Sequence, residues 1–500
     1  MENIEKSIFN KRLIVKLICS LGMAIFWVIF IWNFWQKGIY ALGINATVFL
    51  LLLLGLFIWT LYKKGHYTTH DLFWIIPIIL ISLSYSIYDN PFLKVTSLLV
   101  LPVMFTIFYN QAFLPDKKNK FWNIEFILKI INRFFSFLTQ IIPTTKLYLN
   151  FAIPAGKTKK RVVVRIIAGV ILFLVIALVV FIPLLSSADA VFSDKVQYIY
   201  DWFLNVLSLP FIYKLLFTIA LTILCFSILA SWSKRFDYQE KGESDKKIDP
   251  IISGIVLGGI LCLYLLFLWV QLNHLWVGKL PFDFKATENL VKSGFWQLLF
   301  LSIINILIYF STYRKTALFV QRILSVFTIA SLLLLISAGY RMGLYVTYYG
   351  LSYEKFFASY TVIYCAILFV WLISRLFIKQ RANILKFLIF LFLWMYAVVT
   401  ILPVEQFILR TNMALSNLKE SQIRLFELTM LSPDVLPLIK KYQQQGLLEE
   451  NNNYLVREDS PKSEEQFDWT PWINRQEKKI SDKMWYERNL MNTLYLNSSK

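Results

Sequence analysis

Long runs of apolar residues follow one another from residue 13 to about residue 403, and polar positions collect in the stretches between them. LLLLLGLFIW (Leu50–Trp59), VVVRIIAGVILFLVIALVVFIPLL (Val162–Leu185), GIVLGGILCLYLLFLWV (Gly254–Val270) and ILKFLIFLFLWMYAVVTILP (Ile384–Pro403) are four of them. About 20 apolar residues carry a helix across the hydrocarbon core of a bilayer. Backbone polar groups in lipid find partners only inside a helix or a closed barrel, so such runs are read as spanning helices. The pattern predicts eleven spans, at 13–33, 39–61, 71–88, 95–114, 162–185, 211–232, 251–272, 294–312, 318–341, 356–378 and 384–403. The expected fold class is all-α. A polytopic transmembrane bundle occupies residues 1–403 and a small helical extension residues 404–500. Spans 71–88 and 95–114 are short and contain Pro77 and Pro102, which neighbouring helices tolerate.

Two connections have a different period. In FWNIEFILKIINRFFSFLTQII the polar positions Glu125, Lys129, Asn132, Arg133, Ser136 and Gln140 recur every three to four residues, the mark of an amphipathic helix. An interfacial helix is expected over about 121–142, with Lys117, Lys118 and Lys120 beside it to meet anionic lipid. Asp194, Gln197, Asp201 and Asn205 draw a second such stripe. Past Pro403 charges alternate with Leu. SPDVLPLIKKYQQQ reads as a new helix with Ser432 as N-cap, Pro433 in the first turn and Asp434 complementing the dipole. A last helix is expected in DWTPWINRQEKKISDKMWYERNLMNTLYL, anchored by Trp469, Trp472, Trp485, Tyr486 and Leu490.

Charge gives these elements a direction. The chain is 57% hydrophobic and 16% charged, against about 25% charged in soluble domains. Its net charge is +20. Residues 404–500 hold 13 Lys and Arg against 14 Asp and Glu, so the surplus lies among the spans. With the N-terminus inside, the inner connections carry about 26 Lys and Arg and the outer ones about 8, the asymmetry of cytoplasmic loops. The tail is then extracytoplasmic. A basic surplus spread over loops between spans is no nucleic-acid footprint.

Chemistry is sparse. Cys19, Cys225, Cys262 and Cys365 sit inside apolar runs without ligand spacing. His66 and His70 are four apart, but lack an intervening Glu and a third ligand. No metal or cofactor is expected, and no catalytic residue. GxSxG, P-loop, GxGxxG and HExxH patterns are all missing. The first outer connection, NFWQKG, has Lys37 as its only charge. Lipid-linked glycosyltransferases generally need an acid there. Spans without inner carboxylates also weaken ion coupling.

The candidate polar residues are few. Arg341 ends an apolar span beside Tyr340, Tyr345, Tyr348 and Tyr349. It reads as an interfacial Arg in an aromatic belt, or as the anchor of an acidic ligand such as an anionic headgroup. Asp189 caps the segment behind it or pairs with Arg341. Asn45 and Asn305 are amides that join helices through hydrogen bonds. Glu405 and Arg410 read as solvated.

WQKGIYALGINATVFLLLL, LLSSADAVF, RILSVFTIASLLLLISAGYRMGLYVTYYGLS and LTMLSPDVLPLI together resemble a family of bacterial multi-pass membrane proteins described only as a domain of unknown function, the DUF4153/DUF4173-like type. The stretch Arg341–Gly350 carries most of that resemblance. In the family an Asn-Pro-Asp often follows the last span; here the residues are Leu402, Pro403, Val404 and Glu405. The resemblance implies a protein of the bacterial cytoplasmic (inner) membrane, and no activity. The expected role is non-enzymatic binding, sensing or scaffolding, with the bilayer, anionic headgroups or another membrane protein as partner. Transport or lipid handling is the alternative, and a membrane-embedded transferase the third.

Overall fold

The computed structural model describes residues 2–62, 72–112, 124–152, 209–232, 249–274, 284–313, 315–378, 383–416, 423, 425–450 and 469–498. Among these the chain is helical nearly throughout and has no strand. The bundle comprises α1 (Glu2–Phe26), α2 (Ile44–Tyr62), α3 (Leu72–Ile87), α4 (Pro91–Ala112), α5 (Ile124–Phe135), α6 (Ile141–Ala152), α7 (Leu209–Trp232), α8 (Pro250–His274), α9 (Phe284–Thr312), α10 (Leu318–Tyr349), α11 (Tyr353–Phe377) and α12 (Ile384–Ile401). The tail adds α13 (Val404–Leu415), α14 (Leu436–Gln444), α15 (Thr470–Ser481) and α16 (Leu490–Ser498). A π-turn at Trp27–Ile31 ends α1.

Ten helical stretches among the described residues are long and apolar enough to cross a membrane. Nine coincide with predicted spans, so this is a multi-pass membrane protein with an all-α fold. The tenth, Glu125–Tyr148, covers the segment expected to lie in the interface. α3 is a shorter apolar helix. The predicted span 162–185, Asp189 and the second amphipathic stripe lie outside the described residues, as do His66 and His70.

The Glu125–Tyr148 stretch is not one straight rod. It breaks at a 3-10 turn, Leu138–Gln140. α5 buries Phe126 and Ile130 and exposes Leu128, Ile131 and Phe135. Arg133 donates to the Trp232 carbonyl at 2.9 Å, Ser227 to Thr144 at 3.1 Å, and the Tyr148 and Phe226 rings lie 5.8 Å apart. These contacts reach only the last two turns of α7, about 10 Å of its length.

The buried side chains form two clusters. One joins α2, α3, α4, α5, the end of α7, α12, α13 and the tail; Trp469, Trp472, Ile473 and Ile480 belong to it together with Ile78 and Phe108. The other joins α8, α9, α10 and α11 around Phe295, Phe327, Leu335 and Phe369. Tyrosines tie the helices together by placing a phenol on a neighbouring polar group. Tyr264 donates to Asn305 at 2.6 Å, Tyr309 to the Leu372 carbonyl at 2.9 Å and Tyr364 to the Leu388 carbonyl at 3.0 Å. Tyr396 on α12 shares hydrogen bonds with Thr96 and Ser97 on α4 at 2.7 and 2.8 Å. A ring body with a polar tip suits an apolar interior that still offers one partner.

The turn between α10 and α11 is fixed from the tail side. Gly350 has φ +72°, a conformation that glycine adopts without strain. Asn412 of α13 accepts from the Leu351 amide at 2.5 Å and donates to the Leu351 carbonyl at 2.8 Å. Lys355, buried, donates to the Tyr349 and Gly350 carbonyls at 3.0 and 2.9 Å. Both carbonyls close the end of α10, where a cation complements the helix dipole. Asn412→Leu is expected to leave both Leu351 groups without this partner and to cost about 2–4 kcal/mol. Denaturation of the purified protein in detergent measures it; an unchanged midpoint would show that the clamp carries no stability.

Candidate functional site

The tail covers one end of the bundle, and the polar groups buried there belong to both. Asn90 caps α4, accepting from the Leu93 amide at 3.0 Å, with Pro91 at the first helical position. This cap fixes the short turn after α3 and aims Asp89 inward. Lys94, one turn into α4, donates to Asp89 Oδ1 at 2.7 Å and also to the Leu42 carbonyl. The other Asp89 oxygen receives Lys483 from the tail. The Asp89 amide donates to Asp434, whose second oxygen accepts from Asn489 at 3.3 Å. Glu405, on the first turn of α13, accepts from the Ser432 amide at 3.1 Å and from its hydroxyl. Ser432 caps the turn that holds Asp434. Asp89, Lys94, Glu405, Asp434 and Lys483 are all under 5% exposed.

Burial this complete makes each charge depend on its neighbours. Burial pushes the Asp89 carboxyl up, but Lys94 and Lys483 outweigh it and hold Asp89 below the usual carboxylate range. Glu405 is pushed well above its ordinary value by burial and then by Asp434, against the pull of Ser432. Asp434 is pushed up to about 7 by burial and by Asp89. Lys483 is pushed down by burial, with Asp89 opposing. The centre therefore contains one firmly charged acid between two ammonium groups, and two adjoining acids that burial and each other's charge push toward holding a proton.

A second set of contacts surrounds it. Glu487, fully buried, accepts from Asn33 at 2.5 Å, from Lys37 at 2.9 Å and from the Met484 amide at 3.0 Å. Lys37 also donates to the Asp482 carbonyl at 2.7 Å. The Ile44 amide donates to the Arg488 carbonyl at 3.3 Å, and Lys479 stands 5.1 Å over the Tyr40 ring. Gly43 lies directly under the Glu487 and Arg488 carbonyls.

The residues singled out from sequence are dispersed rather than gathered here. Asn45 closes a helix junction: it donates to the Phe30 and Ala41 carbonyls at 2.7 and 2.9 Å and accepts from the Gly43 and Ala46 amides. Asn305 accepts from Tyr264 between α8 and α9. Tyr345 and Tyr349 are buried, with rings 5.2 Å apart and Lys355 4.6 Å over Tyr345. Arg341, half-buried, lies against Gly294 of α9, where a Cβ would stand 2.9 Å from its Nη1. Two expectations require correction. Glu405 is not solvated but 3% exposed, because α13 turns its first residues under the tail; Arg410 is exposed. The last predicted helix is two, α15 and α16, separated by a 3-10 turn at Trp485–Glu487. Trp469 and Trp472 are buried, whereas Trp485 and Leu490 are exposed.

The sequence does not single out Asp89, Lys483, Glu487 or Asn489, and Lys37 and Lys94 count there only among the charges of the outer connections. One signal was available: Asp89-Asn90-Pro91 places an acid and a helix-start signature in a three-residue connection between two spans. Nothing in the tail marks Lys483 out from its many neighbouring lysines.

No curated protein and no solved structure matches this chain. A profile of the family described as "Domain of unknown function (DUF4153)" matches residues 75–442, from α3 through α14. That stretch includes Asp89, Lys94, Glu405 and Asp434 and stops short of Lys483. The chain therefore belongs to the DUF4153 family.

Proposed function

We propose that this is a non-enzymatic binding or sensing protein of a bacterial cytoplasmic membrane, with its N-terminus inside and its tail seated on the outer end of the bundle. The observation that carries the reading is the ion pair of Lys483 with Asp89, which joins the end of the chain to a turn 394 residues earlier. Buried ion pairs contribute little net stability, because desolvation offsets the attraction, and their best-attested use is to specify one arrangement or to switch between two. A tail needed only as a plug would be held more simply by apolar residues. The lysines and acids here bind one another instead of converging on a free reacting centre. A second reading, lipid or solute movement, draws on the two separate buried clusters, which meet at α11, α12 and the Asn412 clamp.

Two measurements test the proposal. A protease site fused behind Lys500 is expected to be cut from outside in intact spheroplasts; protection would reverse the sidedness. A deletion strain complemented with Lys483→Met is expected to keep the protein inserted and lose the wild-type phenotype. Full complementation by a variant whose tail is shown to be detached would remove the seam from the function.

A further inference from the structure

Between the turn at 88–90, the start of α13 and the Asp434 turn lies a small cavity lined by Tyr88, Asn90, Leu93, Pro403, Glu405 and Asp434. Its volume is about 10 Å³, room for one water molecule. Asn90 is 4% exposed. Its Oδ1 is occupied by the Leu93 amide, and its Nδ2 is buried without a partner. An unpartnered buried N–H donor on a residue that shares a water-sized cavity with Glu405 and Asp434 calls for an acceptor that can also donate.

We propose that this cavity is a proton-binding site. One water accepts from Asn90 Nδ2 and donates to Glu405 and Asp434, and these two carboxyl groups hold one proton between them while the tail is docked. The inference rests on the tail being a seated, functional element.

Charge counting favours a proton over any other cation. The buried centre contains three carboxyl groups, on Asp89, Glu405 and Asp434, and two ammonium groups, on Lys94 and Lys483. One negative charge is left over, and one proton closes the balance. A metal ion has no room for its water shell, and Asn90, whose side-chain acceptor is already used, offers it only an N–H. Among the described residues no group of His, Cys, Asp and Glu is arranged to hold a metal. The groups around the pair are Tyr40 from the turn before α2, Tyr88 and Asp89 before α4, Lys94 on α4 and Lys483 after α15, while Lys479 on α15 acts on Asp89. Lys94 and Lys483 keep Asp89 ionised, so the added proton goes to Glu405 and Asp434.

The direction of the pH effect follows. Asp434 changes from an ordinary 3.8 when released to about 7 when docked, so the docked form holds the extra proton between those limits. Docking weakens as the pH rises from about 4 through 7, by up to about tenfold per unit, and levels off above. Asp89, which Lys94 and Lys483 hold below the usual carboxylate range, keeps its charge in the docked form throughout this window.

The test uses the full chain in lipid nanodiscs. Hydrogen exchange of residues 470–498, corrected for intrinsic rates, is followed from about pH 5 to 8, with infrared detection of a protonated carboxyl. The wild type is expected to show the pH slope and a carboxylic-acid carbonyl band that disappears as the pH rises. Asp434→Asn and Glu405→Gln are each expected to keep the tail docked, flatten the slope and remove the band. A slope that persists in both variants, or a docked wild type with neither slope nor band, would overturn the proton site. A tail that exchanges freely at every pH in the wild type would instead overturn the seated tail beneath it.

Discussion

Asn in place of Asp89 detaches the tail from the bundle while the spans stay inserted: this is the largest single effect expected in the molecule. Among the described residues Asp89 is the only anion in contact with two ammonium groups that are each under 5% exposed, Lys94 on one side of the seam and Lys483 on the other. The neutral amide takes away the one carboxylate that both lysines contact inside a buried interface. Breaking a buried pair in this way costs about 3–5 kcal/mol, more than forming it contributes, because the remaining charge keeps its desolvation penalty. The backbone amide of residue 89 still reaches Asp434, so that contact cannot compensate. Lys483→Met leaves one cation with Asp89 and is expected to cost less. Adding it to Asp89→Asn is expected to recover part of the loss, since one of the two stranded charges is then gone. Hydrogen exchange of residues 470–498 reads the detachment, and a double-variant cycle reads the coupling. Strictly additive single and double variants would show that the pair is not coupled.

The second large effect is steric. A Cβ on Gly43 would stand on the Glu487 carbonyl oxygen and 2.6 Å from that of Arg488. These are backbone atoms held by the Ile44 amide and by the contacts of Glu487 with Asn33 and Lys37, so no flexible side chain can move aside. Gly43→Ala is expected to displace the turn at 485–488 and cost about 1–3 kcal/mol. Asn33 and Lys37 lose their acceptor as the turn leaves. Gly55 has open space around its Cβ position, and Gly55→Ala serves as the control that should leave the tail undisturbed. Equal exchange of the tail in the two variants would mean that the close approach at Gly43 is not constraining.

These expectations rest on residues of two kinds. Some could be read from the chain before it was folded. Asn45 and Asn305 are amides inside apolar runs, and an amide in lipid must find a partner, so their hydrogen bonds to neighbouring helices followed from their position. Ser432 followed from its place before Pro433 and Asp434. Others were misread because their meaning depends on which distant segment covers them. Glu405 reads as solvated because it is a charged residue just past a span. Lys94 counts in the sequence only as one more loop charge, and charge counts along a chain cannot tell a solvated lysine from one that a tail has buried.

The medium and the class of fold were legible along the chain: apolar runs of spanning length require helices in lipid, since each helix satisfies its own backbone and this demand is local. Tertiary structure alone decided where the charges work. Asp89 and Lys483 have no local reason to pair; they meet because one apolar cluster, with Tyr85, Leu93 and Ile480 in it, brings their segments together, and the strength of their interaction comes from the burial that follows.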